Sequence, residues 1–63
     1  MKFKVNKNGE AKWHEIEAIS GEDAIKSVFN CGVILYRQIF KGYDVFDNLD
    51  NDQLYYAKEI KNG

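Results

Sequence analysis

SGEDAIKSVFNCGVILYRQIFKG, running from Ser20 to Gly42, can be wound as one helix or split into a helix and a strand, and the architecture turns on which. At about 100° per residue, Glu22, Asp23, Lys26, Ser27, Asn30, Arg37, Gln38 and Lys41 fall in one arc of the wheel. Ile25, Val28, Phe29, Leu35, Tyr36 and Ile39 fall in the opposite arc. Ser20 is a good N-cap, with Asp23 in the capping-box position, and Glu22 and Asp23 complement the positive end of the helix dipole. Lys41 suits the negative end, and Gly42 suits the residue just past it. The favoured reading is therefore one long helix, bent near Gly32, because a mid-helix glycine costs roughly 1 kcal/mol relative to alanine. Val33 and Ile34 fit it worst, since they fall on or near the polar arc. The competing reading stops the helix at Asn30 with Gly32 as its cap, starts a strand at Val33 and makes Lys41-Gly42 a hairpin turn.

On either side lie strand signals. Lys2-Phe3-Lys4-Val5 alternates polar and apolar residues, and Asn8-Gly9 is a strong two-residue hairpin signal. That turn sets Val5 against Lys12, Lys4 against Trp13, Phe3 against His14 and Lys2 against Glu15. Phe3, Val5, Ile16 and Ala18 then face inward, and Lys2, Lys4 and Trp13 outward. Tyr43 to Phe46 alternates as a short strand, Asn48 to Asn51 supplies turn residues, and Gln53 to Ile60 is the longest strand run. Its expected parity buries Tyr43, Val45, Leu54, Tyr56 and Ile60 and exposes Asp44, Phe46, Tyr55 and Ala57. Lys61-Asn62-Gly63 is expected to fray. The fold class is α+β, with ββαββ order: a four-stranded antiparallel sheet with one long helix packed on one face.

Sixty-three residues make a single domain, and a chain of this size buries only about 60% of its unfolded surface. Its stability must come from a well-packed core or in part from self-association. Cys31 is the only cysteine, which excludes a disulfide framework and points to a reducing, intracellular, cytoplasmic setting. Met1 to Val5 does not read as a secretory leader, and no stretch approaches the roughly 20 apolar residues of a membrane span. The formal net charge of −1 creates no general attraction for nucleic acid.

No catalytic set can be written. His14 is the only histidine, which leaves neither a histidine pair nor a zinc site of the usual kind with Cys31. Asp47-Asn48-Leu49-Asp50-Asn51-Asp52 resembles a calcium loop but lacks the glycine at its sixth position and has Lys58 where the twelfth-position glutamate belongs. No cofactor or metal is expected, and the glycines are too scattered to cradle phosphate. The outward parity instead gathers Trp13, Phe46 and Tyr55 into an aromatic patch on the uncovered sheet face, a candidate partner surface. Asp44, Asp47, Asp50 and Asp52 form an acidic stretch that would steer towards a basic partner. A nucleic-acid module using Lys2, Lys4, Lys12 and the aromatics is a weaker alternative, because Glu15, Glu17, Asp44 and Glu59 share that outer parity. A homo-oligomer packed through the open sheet faces is a further one.

Ile16-Glu17-Ala18-Ile19-Ser20-Gly21-Glu22-Asp23-Ala24-Ile25 resembles a pattern of very small phage-encoded proteins: a strand ending in Glu-Ala, a serine cap, an acidic first turn and Ala-Ile. Some anti-CRISPR proteins and a phage inhibitor of bacterial RNA polymerase have a similar hairpin–helix–strand order. The resemblance implies a non-enzymatic inhibitor or modulator that binds a host or defence protein in the host cytoplasm. It carries over no binding residue, because no binding motif is shared.

Overall fold

A computed structural model describes residues 1–61 of the chain; Asn62 and Gly63, part of the stretch expected to fray, lie outside the described residues. The elements are β1 (Lys2–Lys7), β2 (His14–Glu17), α1 (Gly21–Phe29), β3 (Leu35–Phe40), β4 (Tyr43–Asn48) and β5 (Gln53–Ile60). They form one antiparallel five-stranded sheet in the order β2-β1-β5-β4-β3, so the α+β class holds but the count of four strands and the long helix do not.

The helix starts as its cap predicts, with the Asp23 amide donating to Ser20 Oγ at 3.2 Å. It ends after nine residues because Asn30 turns left-handed, at φ 50° and ψ 38°, while its amide donates to the Lys26 carbonyl. Asparagine tolerates that conformation, so Asn30 is itself the cap and Gly32 is not needed for it. The chain then alternates: Val33 is exposed and Ile34 plugs the core. Lys41 and Gly42 both have positive φ, 52° and 84°, as a type I′ hairpin turn requires, and Phe40 pairs with Tyr43 across it. Gly42 is thus a hairpin residue, and the fold follows the competing reading of the segment, except that Asn30 is the cap and the strand starts at Leu35 and not at Val33.

The first hairpin is longer than a two-residue turn. The Asn8 amide donates to the Leu54 carbonyl at 2.9 Å and so extends the pairing of β1 with β5, while the Glu10 amide donates to the Lys7 carbonyl at 3.0 Å and closes the expected turn over Asn8 and Gly9; residues 10–13 then form a loop before β2 begins. The buried Asn6 side chain donates to the carbonyls of Glu10 at 3.0 Å and Lys12 at 2.8 Å and holds the loop in place. The register therefore slips by two: Phe3 pairs with Ile16 and Val5 with His14. A slip of two preserves parity, so Phe3, Val5 and Ala18 are buried as expected.

The parity of the second hairpin is reversed, although Val45, expected to be buried, is only 3% exposed on the opposite face. Val5 pairs with Ala57, and opposed residues share a face, so Ala57, Tyr55 and Phe46 lie beneath the helix. Small residues let the helix come close there, since a Cβ on Gly21 would sit 3.1 Å from that of Ala57. The core is Phe3, Val5, Ala18, Ala24, Ile25, Ile34, Phe46, Tyr55 and Ala57, edged by Ile16, Val28, Phe29 and Cys31. The helix packs on β1, β5 and β2. Strand β3, at the far edge, is exposed along its whole length.

Candidate functional site

The two edges of the sheet are built differently. Strand β2 is four residues long and carries Glu15 and Glu17 outward, a short charged edge that discourages further pairing. Strand β3 is six residues long and pairs only with β4 among the described residues. Four of its side chains are large, apolar and exposed: Leu35 at 50%, Tyr36 at 54%, Ile39 at 66% and Phe40 at 51%. Val33, just before it, extends the apolar run. A long apolar edge strand of this kind offers a further chain both its backbone and its side chains.

Strand β3 is anchored at few points. The ring of Tyr36 meets Phe46 edge-on at 5.7 Å. Arg37 Nη1 donates to Asp47 Oδ2 at 3.2 Å. The pairing with β4 shifts register between Tyr36 and Gln38, which makes Arg37 a bulge. Tyr36 and Ile39 therefore lie on the helix side, opposite Phe46 and Asp44, whereas Leu35, Gln38 and Phe40 lie on the other side, opposite Asp47, Val45 and Tyr43.

The uncovered sheet face carries a second feature. Trp13 stacks on Tyr43 with ring centroids 5.0 Å apart. Lys4 Nζ sits 5.2 Å from the Trp13 ring centroid and 5.5 Å from that of Tyr43, and Lys58 Nζ is 5.3 Å from Tyr43. Lys4 and Lys58 are cross-strand partners, a like-charge pairing that the ring faces temper. Beside it Arg37, Gln38, Phe40, Val45, Leu54 and Tyr56 line a shallow depression that runs out to β3.

The expected aromatic patch is dispersed. Trp13 is on the open face, but Phe46 and Tyr55 are only 7% and 5% exposed in the core. They are there because β1 sets the parity of β5, and β5 sets that of β4. The acidic stretch is dispersed as well. Asp44 and Asp47 point to opposite faces of β4, and Asp47 is engaged by Arg37. Asp50 and Asp52 sit exposed at the β4–β5 turn, where the Asp50 amide donates to Asn48 Oδ1 at 3.0 Å. With the parity corrected, Asp44 and Glu59 leave the open face and Lys58 joins it.

His14 Nε2 lies 3.0 Å from Glu10 Oε1, and its ring meets Phe29 edge-on at 5.5 Å. That contact ties the β1–β2 loop to the helix. Among the described residues no three His, Cys, Asp or Glu side chains converge as metal ligands, and no helix is long and apolar enough to cross a membrane. Sequence reasoning missed the exposed side chains of β3. The signal was Lys41-Gly42 as a hairpin turn following a β-branched and aromatic run. No protein-family model, curated protein or solved structure matches this chain.

Proposed function

We propose that this chain is a non-enzymatic protein-binding module, an inhibitor or modulator of phage or mobile-element type, that docks a protein along β3. The observation that supports it is the contrast between the edges: four large apolar side chains exposed on β3, and two outward glutamates on β2. An added strand would satisfy the free backbone groups of β3 and cover Leu35 and Phe40 on one face and Tyr36 and Ile39 on the other. Asp50 and Asp52, exposed at the β4–β5 turn, would steer a basic partner and act mainly on the association rate. The host or defence class of partner rests on the resemblance of Ile16 to Ile25.

The test is affinity capture with the wild-type chain, a Leu35→Thr/Ile39→Thr double variant and Trp13→Ala. Threonine keeps strand propensity and removes apolar surface, so the double variant stays folded. A partner held by the wild type and by Trp13→Ala, but lost at least tenfold on the double variant, is the expected result. Equal capture by wild type and double variant would overturn the reading.

A second reading is favoured by the Lys4–Lys58 pair beside Trp13 and Tyr43: a platform on which single-stranded nucleic acid stacks. It predicts that a single-stranded oligonucleotide quenches the fluorescence of Trp13, the only tryptophan, at low salt, with affinity falling steeply as salt rises. Unchanged fluorescence at low salt would remove it.

A further inference from the structure

We propose that the protein docked on β3 is a second copy of this chain, with the two β3 strands antiparallel about a two-fold axis perpendicular to the sheet. The inference rests on the reading of β3 as the docking strand and names its occupant. Two five-stranded sheets would join into one continuous sheet of ten strands.

A two-fold axis perpendicular to the sheet keeps each face on its own side, so only residues that share a face can oppose one another. The axis that fits passes between Arg37 and Gln38. It sets Leu35 opposite Phe40 of the partner subunit, both on the open face. It sets Tyr36 opposite Ile39 of the partner subunit, both on the helix side. Arg37 then faces Gln38 of the partner subunit, a neutral side chain. In a regular strand residues 35 and 40 would point to opposite faces and this register would fail. The bulge at Arg37 removes that mismatch. A bulge usually blunts an edge, but this one brings the two ends of β3 into phase for a copy of itself.

The neighbouring registers are worse. An axis through Arg37 sets two guanidinium groups opposite each other. An axis through Gln38 sets Arg37 against Ile39 of the partner subunit. Self-pairing through β2 would oppose its own glutamates. The seam is a single pair of six-residue strands, about 20 Å long, a narrow contact beside the roughly 20–30 residues a side of a standard stable interface. The dimer therefore belongs to the weak, concentration-dependent class, and docking of any other protein on β3 competes with it.

Sedimentation equilibrium from micromolar to millimolar concentration tests the proposal, using the wild type, Gln38→Glu, Gln38→Lys and Ile39→Lys. Position 38 is exposed, so neither Gln38 variant disturbs the core. Gln38→Glu places a carboxylate opposite Arg37 twice per dimer. It is expected to tighten association about 3-fold at low salt, and Gln38→Lys to weaken it by a similar factor. Ile39→Lys is expected to weaken it at least tenfold. A wild-type chain that stays monomeric at millimolar concentration would overturn self-pairing, as would Gln38→Glu and Gln38→Lys moving association in the same direction. The docking reading fails separately. If the chain is monomeric but Leu35→Thr/Ile39→Thr still loses a captured protein, β3 is the docking strand for a foreign partner only. If that capture is also unchanged, both readings fall.

Discussion

Ile25→Ala is expected to remove about 3 kcal/mol of folding stability. Ile25 is fully buried at the centre of the core, between the helix and the sheet. Alanine there loses the transfer free energy of the missing methylene and two methyl carbons and leaves a cavity that the surrounding β-sheet cannot close. A chain of this length has a total stability of about 3–9 kcal/mol, so the loss is a large share of it. The nine-residue helix cannot hold itself together alone, since isolated helices of that length are marginal in water. Its order depends on Ala24 and Ile25 packing on β1 and β5. Urea unfolding of the variant, followed by circular dichroism, should show the midpoint falling with little change in slope. A loss below about 1 kcal/mol would mean that Ile25 does not anchor the helix.

Gly42→Val is expected to act on β3 and to spare the centre of the sheet. Gly42 has φ 84°, and a β-branched residue is a strained occupant of that region. The strain is about 1–3 kcal/mol, and its effect is local. Among the described residues β3 pairs only with β4, and its side-chain anchors are the Tyr36–Phe46 contact and the Arg37–Asp47 ion pair, with Ile34 just before it in the core. That exposed pair contributes at most about 1 kcal/mol. The turn is therefore a main determinant of whether β3 stays docked. Amide hydrogen exchange of the variant should show protection lost from Leu35 to Phe40 and kept in β1 and β5. Uniform loss across the sheet, or no loss in β3, would contradict this assignment.

Local chemistry made parts of the fold legible in the sequence. The Ser20 cap, the acidic first turn and the spacing of Ile25, Val28 and Phe29 place the helix start and its buried side. Its end was hidden by a coincidence of phase. Leu35, Tyr36 and Ile39 continue the apolar arc of the wheel, yet they belong to an edge strand, and the left-handed turn at Asn30 has no periodic signature. The β1–β2 register depended on the Asn6 amide and on Asn8 bonding to Leu54, contacts between segments far apart in the chain. The parity of β4 and β5 depended on Val5 meeting Ala57, and no local pattern carries that information. This single reversal moved Phe46 and Tyr55 from the candidate surface into the core and left Trp13 with Tyr43 as its neighbour. The candidate site moved to β3 for a different reason: a strand read as helix has its exposed apolar residues assigned to a core they never enter.

Docking through β3 makes that strand the place where contact occurs. Backbone amide chemical shifts of the isotope-labelled chain, followed as its own concentration is raised, locate that contact residue by residue. The shifts are predicted to centre on Leu35 to Phe40, with β2 unmoved. Shifts centred on Trp13, Lys4, Tyr43 and Lys58 with β3 silent, or no shifts up to millimolar concentration, would contradict it.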